Sequence, residues 1–314
     1  MRAISLKSQK TFTYTRLSFT NIVLELYTPE DITFQSFSGY AVRGMFYSII
    51  RRVNESYAFE LHNSKMLAPF SVSPVLVARG EGFHPCFDRV SKGFLRVNFT
   101  IFDGRLNNVL LKFIQEGLGN ELMLGKVEVI LHSLSFKQIH YDKLYRDSDE
   151  IRSFKISFYT PTYFRQTPRD ILERYGKKLE EKITISPYRF LPLPDPVLFF
   201  KSVARIWRKF SNQDLALQNF VEWLEIGGIA VSGYPTGIRT HVVYEHPTTR
   251  KWSVGFTGTV HFSLVKDLYS PERAKIADTL LKFAEYTNVG GGRTAGLGQI
   301  KYQVKGDEEP IEQE

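Results

Sequence analysis

Apolar and polar residues alternate with a period of two over Arg16–Tyr27 and again over Phe94–Phe102, which predicts half-buried strands. Between them, Val42, Met45, Phe46, Ile49, Ile50 and Val53 recur at helical spacing and make one apolar stripe. Phe70–Ala78 is an apolar run bounded by turn residues, and Asn107–Glu116 has a helical pattern that Gly117 can end. Lys126–Lys137 completes the series as a strand. Strand, helix, strand, strand, helix, strand is the βαββαβ order of a ferredoxin-like unit.

The second half repeats this order with additions. Ser153–Tyr159 reads as a strand, Pro161–Arg189 as a polar linker, and Asp195–Glu225 as two consecutive helices. Gly237–Glu245 and Trp252–Val265 form a hairpin around His246-Pro247-Thr248-Thr249. Ser270 is an N-cap candidate with Pro271 at the first helical position, followed by an apolar stripe of Ala274, Ala277, Leu280, Leu281 and Ala284. A glycine-rich loop and a strand at Gln299–Val304 close the series. The expected architecture is α+β: tandem ferredoxin-like (RRM-like) domains packed side by side. Residues 1–147 make the first and 148–304 the second, with an acidic tail over 305–314.

Composition narrows the class. Hydrophobic residues make up 43% and charged residues 24%, as in a packed globular chain. A single cysteine, Cys86, excludes an internal disulfide framework and a thiolate cluster. The N-terminus lacks the apolar core of a signal peptide and no stretch is apolar enough to span a bilayer, so a cytoplasmic protein without a membrane partner is expected. The net charge is +8, and because the last ten residues carry five acids and one lysine, the body is +12. A basic body suits a polyanion such as RNA.

The most distinctive segment is Asn288-Val-Gly-Gly-Gly-Arg-Thr-Ala-Gly-Leu-Gly298. Gly290, Gly291, Gly292, Gly296 and Gly298 permit a left-handed backbone, exposed amides could cradle phosphate oxygens, and Arg293 and Thr294 add side-chain donors. A dinucleotide fingerprint needs a strand before such glycines and a helix after, the reverse of the order here, and no Gly-Lys-Ser/Thr is present. A tight helix-to-strand turn would need the same glycines.

On the other side of the chain, Arg43, Tyr47 and Arg51 stand at i, i+4 and i+8, away from the apolar stripe of their helix. Two guanidiniums beside a phenol suit a phosphate; a solvated basic helix face would carry the same spacing. Each of the seven histidines, His62 among them, can donate or accept a proton near neutrality. His84, His132, His140, His241, His246 and His261 show no zinc-like spacing, so neither a metal nor another cofactor is expected.

The run from Phe283-Ala-Glu-Tyr286 through Val289-Gly-Gly-Gly-Arg-Thr-x-Gly-Leu-Gly298 to a strand resembles the C-terminal signature of the RAMP superfamily. Within it the chain is most similar to the sixth CRISPR-associated protein family, endoribonucleases that process precursor CRISPR transcripts. The strand Val254-Gly-Phe-Thr-Gly-Thr-Val260 is similar too. The resemblance implies metal-independent cleavage within repeats by 2′-hydroxyl attack, leaving 2′,3′-cyclic phosphate and 5′-hydroxyl ends. It also implies a tyrosine on the first helix, a histidine beyond it and a lysine just before a Pro/Phe/Ser strand. Tyr47 and His62 fill the first two places; Ala68 stands at the third, with Lys65 as the nearby substitute. Tyr47, His62 and Lys65 are therefore the expected catalytic group. Arg43, Arg51, Gly290, Gly291, Gly292, Arg293, Thr294, Gly296, Gly298, Arg239, Arg250 and Lys251 are the expected RNA contacts. Arg165, Arg169, Lys177 and Lys178 are further phosphate candidates from the linker. The implied partners are CRISPR repeat RNA, effector-complex subunits and a second copy of the chain. Ala68 leaves a catalytically weak RNA-binding paralogue or scaffold subunit as the alternative, and tandem ferredoxin-like domains alone would also suit an unrelated interaction protein.

Overall fold

Two antiparallel sheets, each half-covered by helices, follow from the alternating strands. The computed structural model describes residues 17–80, 82–116, 122–166, 189–245 and 252–305. The first region runs β1 (Ser18–Thr28), β2 (Ile32–Thr33), α1 (Ser38–Val53), α2 (Glu55–Asn63), β3 (Phe70–Val72), β4 (Val75–Arg79), β5 (Gly82–Cys86) and β6 (Arg89–Val90). It continues with β7 (Gly93–Ile101), α3 (Gly104–Gln115), β8 (Leu122–Leu124), β9 (Val127–His140) and α4 (Tyr141–Arg146). The second region runs β10 (Ser153–Thr162), β11 (Phe164–Gln166), β12 (Arg189–Leu191), α5 (Pro196–Phe210) and α6 (Leu217–Glu225). Then come β13 (Ile229–Gly233), β14 (Ile238–Glu245), β15 (Trp252–Leu264), α7 (Pro271–Thr287) and β16 (Ile300–Val304).

The first sheet has the order β5-β4-β7-β1-β9-β8, with β3 also on β7, and the second has β13-β15-β10-β16. In both, the first strand sits between the third and the fourth, which is the ferredoxin-like arrangement expected from the element order. The apolar run Phe70–Ala78 is divided rather than continuous. Pro74 cannot donate to a ladder, and β3 and β4 break on either side of it. The helix α2, the hairpin strand β5 and the strand β13 are additions that the periodicity did not call. Pro271 does open α7, but Ser270 at the cap position makes no side-chain capping bond.

One core lies under α1 and α3 of the first unit, built on Val42, Phe46, Ile49, Phe70, Val97 and Phe99. The other fills the second unit and reaches across to the first. Phe19, Phe102, Ile139 and Tyr141 join Trp207, Phe210 and Phe283 there. Tyr141 meets Trp207 edge-on at 5.0 Å and Phe102 stacks on Phe210 at 5.5 Å, so the two units share apolar area rather than touching through polar rims. No helix among the described residues is long and apolar enough to cross a membrane.

Candidate RNA-cleavage site

On α1 the apolar stripe turns Val42, Met45, Phe46, Ile49 and Ile50 into the core and leaves Arg43, Tyr47 and Arg51 on the outer side. Asn54 ends this helix and starts the next. Its N–H donates to Ile50 O at 2.8 Å, and its Oδ1 accepts from the Tyr57 amide at 2.9 Å. That double cap folds α2 back along α1. The result is that His62, on the last turn of α2, stands edge-on to the Tyr47 ring with centroids 5.2 Å apart and planes at 79°. The Arg43 guanidinium lies 5.6 Å from the Tyr47 ring centre. These three, with Tyr40, Arg51, Glu55 and Phe59, line an open cleft of about 480 Å³. Tyr47 is half-buried and rests on Phe70 at 5.8 Å, so its ring is held from below while His62 is exposed.

Lys65 does not join this group. It lines a second, larger groove of about 690 Å³, together with Met66, Leu67 and Ala68 on one side and Gly290–Thr294 on the other. Arg165, Lys201 and Arg205 complete its cationic lining, and Asp195 is its acid. The Asp195 carboxylate is engaged as the cap of α5, accepting from the Leu198 amide at 2.7 Å. Arg165 was a candidate from sequence; Lys201 and Arg205 were not. They stand at i and i+4 on an amphipathic helix, a signal present in the sequence but indistinguishable there from a solvated face.

The glycine loop is half-buried, and its bonding differs from the expected amide cradle. The Gly290 amide donates to Ser202 Oγ at 3.2 Å, Gly291 to Tyr163 O at 2.9 Å and Gly298 to Pro161 O at 3.2 Å. Gly296 and Gly298 are buried turn positions at φ 77° and 74°. A Cβ on Gly298 would come within 1.9 Å of Val289 O, so glycine is required there by the turn itself. Arg293, expected as an open phosphate fork, lines the groove but spends its donors within the protein. It is 6% exposed, Nη1 donates to Phe70 O at 2.8 Å and Nη2 donates to Ala68 O. Burial, and then the charge of Arg205, lower its pKa to about 9. Arg239 is exposed on β14 and lines neither cleft. Arg169, Lys177, Lys178, His246, Arg250 and Lys251 lie outside the described residues, as does Gly117.

Residues 156–300 match the family model of the CRISPR-associated endoribonuclease Cas6. Among solved structures, a product complex of Cas6 (TTHB231) superposes with a TM-score of 0.68 at 22% identity, covering 91% of this chain and 99% of that one. Thermus thermophilus Cas6 (TTHB231) gives a TM-score of 0.64 at 20% identity, covering 91% and 99%. A product complex of Cas6 (TTHA0078) gives 0.62 at 19% identity, covering 91% and 100%. At these identities the likeness establishes a shared fold. No curated protein matches the chain in sequence.

Proposed function

We propose that this chain, whose residues 156–300 match the Cas6 endoribonuclease family model, binds CRISPR repeat RNA and cuts it within the repeat without a metal ion. The observation that carries the reading is the meeting of Tyr47 and His62 in an open cleft, one short segment away from a cationic groove. Residues 62–70 run from the cleft to the groove, so a strand of RNA held in the groove can pass over the Tyr47–His62 pair.

The chemistry needs little more. A ribose 2′-oxygen attacks the adjacent phosphorus, the bond from phosphorus to the 5′-oxygen breaks, and a 2′,3′-cyclic phosphate and a 5′-hydroxyl result. One proton leaves the 2′-oxygen and one arrives at the 5′-oxygen. Imidazole is suited to either transfer near neutral pH. The Tyr47 hydroxyl orients the 2′-oxygen or the phosphate, and Arg43 and Arg51 offset the charge that builds on the phosphorane. Lys65 serves as a phosphate contact in the groove.

Labelled CRISPR repeat RNA incubated with the full chain in excess EDTA tests this. One cut leaving a cyclic phosphate is expected. Retention without any cut would favour a binding paralogue or scaffold subunit, a reading supported by Ala68 at the usual lysine place and by Lys65 facing the groove. No retention would remove both.

A further inference from the structure

We propose that Arg293 is a positioning residue, which fixes the strand beneath Tyr47 to the glycine loop and so keeps the RNA groove and the cleavage cleft in one geometry. The proposal rests on the endoribonuclease reading.

Three side chains tie the α7–β16 turn to β3. Arg293 donates to the carbonyls of Ala68 and Phe70. Asn288 Nδ2 donates to Val72 O at 2.9 Å and to Arg293 O at 3.1 Å. Ser71 Oγ donates back to Tyr286 O at 2.8 Å. Five consecutive residues of the first unit, Phe70 to Pro74, thus lie against a turn more than two hundred residues away; a Cβ on Gly296 would meet Pro74 N at 2.6 Å. Asn288 is given a left-handed backbone, φ 56°, to reach its two acceptors.

The same short strand supports the cleft. Phe70 lies under Tyr47 at 5.8 Å and against Phe46 at 4.4 Å. The α1 backbone also touches the loop: a Cβ on Gly39 would come within 2.0 Å of Ala295 O. On the far side, the Gly290 amide is anchored to Ser202 of α5, between Lys201 and Arg205 of the groove. Arg293 therefore stands between the groove cations and the floor of the cleft. Both terminal amino groups of its guanidinium are engaged by carbonyls, and a lysine could satisfy only part of that fork.

Two variants of the full chain test the idea, R293K and N288G, the latter keeping the backbone freedom the turn needs. Three quantities are read: single-turnover cleavage of repeat RNA at saturating protein, RNA affinity across a salt titration, and the His62 imidazole resonances of the RNA-free protein. Cleavage is expected to fall about 10- to 100-fold, the cost of a misplacement near 1 Å. The slope of affinity against salt should stay as in the parent, because no phosphate contact is lost. The His62 signals should shift as the Tyr47 ring moves against them. RNA affinity weakened about tenfold or more by R293K, with cleavage at saturation retained, would make Arg293 a phosphate contact and overturn the proposal. So would folded variants with unchanged cleavage and unchanged His62 signals. If R293K fails to fold, N288G decides. A parent protein that neither binds nor cuts sinks the endoribonuclease reading instead, and the His62 signals still report on Arg293.

Discussion

The first helices of the two ferredoxin-like units carry the same spacing to different ends. On α1 the positions i, i+4 and i+8 are Arg43, Tyr47 and Arg51; on α5 they are Lys201, Arg205 and Lys209. Each stripe lies opposite an apolar stripe, Val42–Ile50 in one case and Phe199, Phe200, Val203, Ile206 and Trp207 in the other. What differs is the neighbour. The double cap at Asn54 returns α2 and sets His62 against the phenol of α1, whereas Lys201 and Arg205 of α5 face a glycine loop across a groove with no histidine among its described lining residues. Under the proposed function, one stripe would take part in proton transfer and the other would hold phosphate charge. Two similarly spaced helix faces thus come to differ through a single extra helix, which adds a histidine to one of them.

The largest expected effect breaks the reactive side. His62→Ala should slow cleavage by roughly 10²–10⁴-fold while leaving RNA affinity essentially that of the parent. Equal rates for parent and variant in single-turnover assays would take His62 out of the mechanism. Next, the scaffold under the binding side can be loosened. Trp207 is fully buried, meets Tyr141 and Phe283 edge-on, and donates its indole N–H to Gln213 O at 3.0 Å. Trp207→Ala should cost about 3–5 kcal/mol in denaturant unfolding; a loss below 1 kcal/mol would mean the shared core does not hold α5 in place.

Tyr47→Phe sharpens the comparison, because the ring still packs on Phe70 and His62 while the hydroxyl is lost. A hydrogen bond to a charged group contributes about 1.5–3 kcal/mol, so cleavage should fall roughly 10- to 100-fold with unchanged unfolding. A rate equal to the parent would reduce Tyr47 to a packing residue. On the other helix, Arg205→Ala should weaken RNA binding and make its salt dependence shallower by about one, with the cleavage rate at saturation retained. An affinity unmoved across the titration would deny the groove its phosphate.

Most of the fold was legible because period-two and period-3.6 patterns report burial directly. The strand order, the α1 stripe and the two helices of Asp195–Glu225 all rest on that signal. The elements missed are short: α2 has only nine residues with three buried, and β5 pairs by backbone bonds that leave little trace in hydrophobicity. In the site, the Tyr47 and His62 spacing could be read, but their meeting depends on the Asn54 caps and on a helix the pattern did not announce. Arg293 was legible as a residue type and not as an orientation. A guanidinium in a glycine loop serves a phosphate or a carbonyl equally well, and only the positions of Ala68 O and Phe70 O decide between them.

Lys65 gives the smallest effect and the finest test of the division between the two helices. It follows His62 by three residues, near enough in sequence to serve the cleft, yet it lines the groove with Arg205 and Lys201. Its side chain is exposed and flexible, so holding it in one place costs side-chain entropy, and a solvent-screened contact of this kind is worth about 0.2–1 kcal/mol. Lys65→Ala should therefore lower RNA affinity by no more than about fivefold at moderate salt. Cleavage at saturating protein should stay at the parent rate if, as proposed, the groove holds the RNA and the cleft cuts it. A loss of rate beyond tenfold at saturation, with affinity intact, would mean that the lysine swings across residues 62–70 to the scissile phosphate. The separation into a holding helix and a cutting helix would then fail at the one residue that lies between them.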